Sequence, residues 1–185
     1  MKKTLLSLAL ATAAFAGAAN AAPVYPIDVV SYDQNGTTVA ADRSNPYVLF
    51  DAYTDGDQFY SLGLGGNLVL DFGSTVHGIG RIIEVTYKLA NYAESLEVYI
   101  SGSTTFSGGP VASVTNADSQ TGFSFLVTSP FRYIKLVDTS DVRPNRDGFD
   151  VAEISFSPVP VPAAGLMLAG AVAGLGALRR RAKKA

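Results

Sequence analysis

The densest group of side chains that could do chemistry is a set of aspartates in the last third of the chain. The set consists of Asp138, Asp141, Asp147 and Asp150. Carboxylates on a loop between two strands suit Ca²⁺, which takes about six to eight oxygen ligands and tolerates irregular geometry. Arg143 and Arg146 interrupt the set, and a solvated turn with Asp–Arg pairs is the alternative. The sequence leaves both interpretations open, and Ca²⁺ is the one cofactor that it suggests.

A second group of aspartates lies in the first third of the chain. It consists of Asp51, Asp55 and Asp57, and its aromatic neighbours are Tyr53, Phe59 and Tyr60. Aromatic rings at a surface can stack on a sugar, while carboxylates accept hydrogen bonds from sugar hydroxyl groups. The pattern favours a solvated loop, and a sugar-stacking edge is the alternative.

Residues suited to catalysis are few. His77 is the only histidine, cysteine is absent, and neither a G-x-S-x-G nor an H-E-x-x-H motif occurs. A Ser-His-Asp triad would have to use His77, which precedes Gly78 in a pair typical of a surface turn. A glycosidase needs two carboxylates, and the available glutamates are Glu84, Glu94, Glu97 and Glu153. Because a small domain offers little cleft between such residues, the sequence favours a protein that is not an enzyme.

The glycine string Gly63-Leu64-Gly65-Gly66 has the composition of a phosphate-binding loop. Such loops open a helix, whose N-terminus provides the anion site. Here the string runs into the apolar stretch 67–72, which has the character of a strand. We therefore expect a turn between two strands.

The elements that position these residues are short and β-like. Runs rich in β-branched and aromatic residues recur between Gly, Pro, Asn, Asp and Ser clusters. They predict nine strands, at residues 25–31, 47–52, 67–72, 81–89, 96–101, 111–115, 122–128, 132–138 and 151–156. Charged and apolar residues alternate in 96–100 and 132–137, as one buried and one solvated face require. The predicted fold is all-β, a single β-sandwich or jelly roll.

Several stretches of this body resemble a known architecture. They are FYSLGLGGNLVLDFG at 59–73, EVYISG at 97–102, YIKLVD at 133–138 and DGFDV at 147–151. Together they resemble the galactose-binding-like (discoidin-like) jelly roll over roughly residues 59–156. The resemblance implies a jelly-roll module of the kind found in many proteins that carry a C-terminal sorting signal.

The charge of the body restricts its partners. Residues 22–157 contain seven Lys and Arg against all sixteen Asp and Glu, a net charge of −9. A nucleic-acid partner is excluded, because phosphate binding needs clustered basic residues. The absence of cysteine excludes disulfides and thiolate metal sites, so the fold must be stabilised by packing or by a bound ion.

The first segment, residues 1–21, has the pattern of a signal peptide. Lys2 and Lys3 precede the apolar stretch 5–16, and Ala19 and Ala21 occupy the small-residue positions of the cleavage site. The apolar stretch is shorter than the roughly 20 residues of a membrane span. We expect export and a mature chain that begins at Ala22.

The last segment, residues 158–185, has an apolar stretch with a basic end. No charged residue occurs between Glu153 and Arg179, and the predicted helix runs over 163–178 because Pro160 and Pro162 oppose a helix. The basic cluster that follows consists of Arg179, Arg180, Arg181, Lys183 and Lys184. By the positive-inside rule the cluster stays cytoplasmic while the body lies outside.

The same segment carries a second resemblance. The motif Val159-Pro160-Val161-Pro162-Ala163, the apolar span and the arginine cluster resemble the PEP-CTERM class of sorting signals in its VPLPA-type variant. The resemblance implies recognition by an exosortase-type membrane enzyme, cleavage near the prolines, and transfer of the body to the cell surface. A plain transmembrane anchor in the inner membrane is the alternative.

These features predict three domains: the signal peptide 1–21, the exported sandwich 22–157 and the sorting signal 158–185. The main hypothesis is a noncatalytic envelope or extracellular-matrix protein, membrane-tethered before processing and associated with exopolysaccharide or the cell surface afterwards. The first alternative is a carbohydrate-binding module with a specific saccharide ligand. A small secreted hydrolase is the second alternative.

Overall fold

The computed structural model describes residues 22–54, 58–85, 92–116 and 122–159. Residues Ala22–Pro158 form one compact unit. The predicted signal peptide and the sorting segment from Pro160 onward lie outside the described residues. Within the described ranges, no helix is long and apolar enough to cross a membrane.

The described chain is built from seven strands and two short 3-10 segments, which confirms the all-β class. The strands are β1 (Asp28–Asp33), β2 (Tyr60–Ser61), β3 (Asn67–Glu84), β4 (Ser95–Ser101), β5 (Ala112–Thr115), β6 (Phe123–Asp138) and β7 (Asp150–Ser157). The 3-10 segments are Ala41–Arg43 and Pro46–Phe50.

All strand pairs are antiparallel, and the order across the sheet is β2-β7-β3-β6-β4-β5, with β1 added beside β3. The long strands β3 and β6 run through both halves of the sheet. Their pairing shifts register between Asp71 and Val76 and again before Gly78, where the strands bend. The first part of β3 pairs with β1 and the second part with β7. The bend therefore folds one continuous sheet into the two faces of a jelly roll.

The core lies between these two faces. Phe156 of β7 contacts Phe72 of β3 edge to face at a ring-centroid distance of 5.5 Å, and Phe131 of β6 at 4.9 Å. Both distances fall in the range that aromatic pairs prefer. The fully buried side chains around them include Leu68, Leu70, Ile82, Leu96, Ile134, Leu136 and Ile154. The aromatic residues thus close the bent end of the sandwich.

The predicted strand at 47–52 is wrong, because this stretch forms the 3-10 segment Pro46–Phe50. Pro46 presets the backbone angle of the first residue, and the Asn45 side chain accepts a hydrogen bond from the Tyr47 N–H at 3.2 Å. Leu49 then inserts fully into the core. The apolar residues of this 3-10 segment therefore pack against the sheet instead of joining it.

Several connections meet at one end of the sandwich, which we call the loop end. Asn67 at the start of β3 pairs with Asp33 at the end of β1 on one side and with Val137 near the end of β6 on the other. The loop end consists of residues 34–54, 58–59, 62–66 and 139–149. At the far end of β7, Val24 bridges to Phe156. The chain segment that precedes β1 is therefore joined to the last strand away from the loop end.

Candidate functional site

Asp138 lies at the loop end with its carboxylate occupied by protein donors. Its Oδ1 accepts from the N–H of Gly65 at 2.9 Å and of Ser140 at 3.2 Å. Its Oδ2 accepts from the Ser140 hydroxyl and from the Phe149 N–H, both at 2.7 Å. The side chain is buried. Asp138 therefore fastens the glycine turn at 63–66 to the loop between β6 and β7.

The other three predicted calcium ligands also contact protein groups. The Ser61 hydroxyl donates to Asp150 Oδ1 and lies 3.3 Å from Asp147 Oδ2, and Asp147 Oδ2 also lies 3.1 Å from Arg43 Nη1. Asp141 is 85% exposed and lies 4.0 Å from Arg143. In the part of the chain that the structure describes, no three acidic or histidine side chains converge as a metal ion requires. The calcium site stays a prediction, and the Asp–Arg pairs match its alternative.

A buried acidic cluster lies next to Asp150, and sequence reasoning did not find it. Glu84 and Glu94 are buried, and the Asn116 side-chain amide donates to both carboxylates at 3.4 Å. Burial, with Asp150 and Glu84 nearby, raises the pKa of Glu94 to about 9. Burial also raises the pKa of Asp150 to about 7, although the hydrogen bond from Ser61 acts to lower it. Glu94 is therefore closed off from solvent and binds a proton beside the buried Glu84, whereas a glycosidase pair must face a cleft.

A small pocket, here called the tyrosine pocket, opens beside the start of β7. Its volume is about 290 Å³, and its polar and aromatic lining consists of Asn45, Tyr47, Asp51, Tyr53, Thr54 and Gln58. Tyr47 is 57% exposed. The pocket combines aromatic faces with amide, hydroxyl and carboxylate groups, which are the groups that recognise a polyhydroxylated ligand.

Contacts within the body restrain the Tyr47 ring and the backbone at Tyr53. Tyr47 packs edge to face on Phe50 with ring centroids 5.4 Å apart. The N–H of Tyr53 donates to Glu153 Oε2 at 3.0 Å, which ties the loop to β7. Leu49 anchors the segment between them in the core. The Tyr47 ring and the Tyr53 backbone are therefore held in place before any ligand binds, which lowers the entropy cost of binding.

The structure divides the second predicted group of residues. Asp51 and Tyr53 line the tyrosine pocket, while Asp55 and Asp57 lie outside the described residues. Tyr60 is fully buried, so it cannot stack on a sugar.

A second pocket, here called the arginine pocket, lies beside the 3-10 segment at 41–43, which contributes Arg43 to its lining. Its volume is about 440 Å³. The lining consists of Thr37, Thr38, Arg43, Asn145, Arg146 and Asp147. The Arg43 guanidinium lies 5.8 Å from the ring centroid of Phe59, and the Arg146 guanidinium 4.7 Å from that of Tyr92. Two cations and several hydroxyl or amide groups therefore share one opening.

The remaining predicted residues lie away from these pockets. His77 is exposed on β3 at the bend, and neither pocket is lined by a histidine or a glutamate among the described residues. Of the predicted sorting motif, Val159 is 47% exposed just after β7. The other predicted signal residues lie outside the described ranges, namely Ala19, Ala21, Pro160, Val161, Pro162, Ala163, Arg179, Arg180, Arg181, Lys183 and Lys184. The signals stay predictions.

The lining residues of the pockets come from stretches that carry no motif. Asn45-Pro46-Tyr47 is a turn signal with an adjacent aromatic residue, and it marks Tyr47 as a candidate for exposure. No sequence signal pairs Thr37 with Arg146, because they are brought together by strands that are distant in the chain.

Neither a protein-family model nor a curated protein matches the sequence. Solved structures do match the fold. The C-terminal domain of a chitobiase from Bacteroides fragilis gives a TM-score of 0.53 at 16% identity, over 76% of this chain and 100% of that domain. The family 32 carbohydrate-binding module of EndoD from Streptococcus pneumoniae gives 0.54 at 8% identity, over 74% and 99%.

A third similar structure is XRCC1 bound to the catalytic domain of DNA polymerase beta. Its TM-score is 0.51 at 12% identity, over 75% of this chain and 100% of that one. At such identities the likeness shows the fold alone, and the same fold serves different partners. The body of this protein thus has the jelly-roll fold that a family 32 carbohydrate-binding module also has.

Proposed function

We propose that the body is a noncatalytic carbohydrate-binding module that works outside the cytoplasm. Its fold is that of a known carbohydrate-binding module, and the residues of its pockets suit binding more than catalysis. The saccharide-binding alternative from the sequence thereby becomes the leading function, and association with exopolysaccharide or the cell surface becomes its context.

The tyrosine pocket is the observation that carries this proposal. A sugar ring presents apolar C–H faces and a rim of hydroxyl groups. Tyr47 and Tyr53 offer aromatic surface to the first, while Asn45, Asp51 and Gln58 offer donors and acceptors to the second. The pocket volume of about 290 Å³ suits a single small ligand group.

Delivery of this module is the second part of the proposal. The signal peptide 1–21 exports the chain, and the segment 158–185 tethers the body to the inner membrane until an exosortase-type enzyme acts at the proline motif. The sequence patterns of both ends support this order of events. The module would then hold or join surface polysaccharide.

The test is glycan binding by the full-length chain in polyoxyethylene detergent micelles, which carry no sugar headgroup. The wild-type protein should bind a subset of an array of bacterial glycans, and the Kd of the best ligand should be measured by calorimetry. Tyr47→Ala should weaken that binding at least about tenfold, because loss of an anchoring aromatic residue costs about 2 kcal/mol or more and about 1.4 kcal/mol is tenfold in Kd. Asp51→Asn should weaken it less, because the amide keeps one acceptor.

Tyr133→Ala provides the matched control. Tyr133 pairs with Asp71 and Ser101 near the bend, away from both pockets, so its loss should leave the Kd unchanged. Equal losses in Tyr47→Ala and Tyr133→Ala would place binding elsewhere. The absence of any bound glycan would refute the function.

A further inference from the structure

Basic residues are concentrated at the loop end of an otherwise acidic body. Only seven Lys and Arg occur between residues 22 and 157, against sixteen acidic residues. Arg43 and Arg146 line the arginine pocket, and the guanidinium of Arg143 also lies 5.4 Å from the Tyr92 ring centroid. Three of the seven cations therefore lie at this one end, and Arg43 and Arg143 each have a carboxylate nearby, at 3.1 Å and 4.0 Å.

Arg43 has hydrogen-bonding capacity that Asp147 does not use. Its Nη1 lies 3.1 Å from Asp147 Oδ2, while its Nε is buried with no hydrogen-bond partner among the described residues. A guanidinium carries five N–H donors in a planar fork. Buried donors are almost always satisfied, and an orphan indicates an absent water, ion or ligand. The side chain is thus held in place by Asp147 and still lacks an acceptor.

Arg146 is held by an aromatic ring instead of by an acid. Its guanidinium lies 4.7 Å from the Tyr92 centroid, and the Tyr92 hydroxyl donates to the Asp141 carbonyl at 3.0 Å, which fixes the ring. Across the described ranges, no carboxylate forms an ion pair with Arg146. A stacked arginine keeps its N–H edges available for a planar acceptor.

The charges of the lining fit a monoanion. Arg43 and Arg146 contribute two positive charges and Asp147 one negative charge, so the pocket carries a net charge of +1. A carboxylate is planar, carries one negative charge and matches the guanidinium fork with two parallel hydrogen bonds. Thr37, Thr38 and Asn145 add hydroxyl and amide groups beside the cations, where a carboxylate-bearing sugar would place its hydroxyl groups.

The two pockets flank the same short segment of chain. Arg43 lines one and Asn45 lines the other, and two peptide units span at most about 7.6 Å. Neighbouring residues of one saccharide chain can therefore occupy both pockets.

From these observations we infer that the arginine pocket binds the carboxylate of a uronic acid, so that the ligand is an acidic polysaccharide. This inference rests on the proposed carbohydrate-binding function and adds its ligand class. The tyrosine pocket holds the neighbouring sugar, and the arginine pocket selects the charged one.

The test uses the full-length chain in the same micelles and oligosaccharides of galacturonate, guluronate, mannuronate and glucuronate. Each oligosaccharide is offered as the free acid and as the neutral methyl ester, which keeps the sugar and removes the charge. One free acid should bind at least about tenfold more tightly than its ester, since a hydrogen-bonded ion pair gives that much. Arg146→Gln should abolish this difference while leaving the Kd of the ester within about twofold.

Lys135→Gln is the control for overall charge. It removes the same charge from the outer face of β6, where Lys135 lies 5.9 Å from the Tyr99 centroid. This variant should bind the free acid like the wild type. An equal loss in Arg146→Gln and Lys135→Gln would attribute the effect to net charge and overturn the inference.

Four further outcomes distinguish a failure of the ligand class from a failure of the carbohydrate-binding function. Acid and ester that bind equally well, or neutral glycans that bind while every uronate fails, would overturn the ligand class and leave the carbohydrate-binding function standing. Sulfated oligosaccharides that bind as tightly as uronates would show a general anion site. The absence of binding to every glycan would refute both proposals.

Discussion

Single residues at the loop end have roles that their types alone do not reveal. An aspartate is a metal ligand, an ion-pair partner or a backbone cap, according to which donors reach it. Asp138 receives four hydrogen bonds from three residues, whereas Asp141 lies in solvent with one distant arginine. An aspartate that binds a metal and one that accepts hydrogen bonds from backbone N–H groups can have the same sequence spacing. Only the fold distinguishes the two roles.

We predict that Asp138→Ala destabilises the protein by about 3 kcal/mol or more. The substitution leaves buried N–H and hydroxyl donors without an acceptor, and hydrogen bonds to a charged group each contribute about 1.5 to 3 kcal/mol. Asp141→Ala is the control and should cost less than about 0.5 kcal/mol, because Asp141 is 85% exposed. Urea unfolding of the full-length variants with EDTA present measures both values.

The same experiment with added Ca²⁺ tests the sequence-based calcium site. If Ca²⁺ binds the folded state at Asp138, Asp147 and Asp150, millimolar Ca²⁺ should raise the midpoint of the wild type and not of Asp138→Ala. Equal unfolding midpoints with Ca²⁺ and with EDTA would show that protein hydrogen bonds stabilise the loop without a metal ion.

We also predict that the protein loses stability as the pH rises from about 5 to 9. The pKa of Glu94 is raised to about 9 and that of Asp150 to about 7, so the folded state binds protons that the unfolded state has released at these pH values. The stabilisation is complete below the ordinary carboxyl pKa and is lost as the pH passes the raised values. Melting temperatures across this range measure it.

Glu94→Gln should flatten the upper part of this pH profile, from about 7 to 9, because the amide keeps an acceptor near Asn116 and does not titrate; the part due to Asp150 should remain. Glu97 hydrogen-bonds Tyr99 outside the buried cluster, so Glu97→Gln should keep the wild-type profile. A wild-type melting temperature that is constant between pH 5 and 9 would contradict the prediction.

At the scale of elements, the sequence predicted the fold class and most of the strands. β4, β5 and β7 begin and end within one residue of their expected bounds, because alternation and turn residues define them locally. The predicted strands 122–128 and 132–138 are joined in β6 through Pro130, and 67–72 continues into β3 past Gly73. Pro and Gly were interpreted as breaks, whereas here they allow a bend in a continuous strand.

The binding pockets were only partly predictable, for a topological reason. Asp51 and Tyr53 were identified as candidates because acids and aromatic rings are adjacent in the chain. The arginine pocket joins residues 37–43 to 145–147, and the order of strands β1, β3 and β6 determines that contact. Local patterns predict which stretches are strands, but pairing over a hundred residues depends on the whole core.

At the scale of the whole molecule, the two pockets and the connection at residue 158 lie at opposite ends of the body. The arginine pocket lies at the loop end, while Pro158 follows β7 beside Gly78, at the opposite end of β7. Both pockets therefore lie at the end of the body away from residue 158. This position is compatible with the tether and the carbohydrate ligand proposed above.

The last prediction concerns processing of the chain. The surface form should begin at Ala22 and lack Arg179 to Lys184, because Ala19 and Ala21 suit signal peptidase and the motif at 159–163 suits the sorting enzyme. Neither cut removes a strand, since Val24 still bridges to Phe156 and β7 ends at Ser157. The processed body should therefore melt within about 2 °C of the full-length chain, because the cuts leave all the described core residues in place. Intact-mass analysis and N-terminal sequencing of surface material measure the cuts. Replacing both Pro160 and Pro162 with Ala should leave the body in the inner-membrane fraction, whereas a wild-type surface form that retains Arg179 to Lys184 would identify the segment as a permanent anchor.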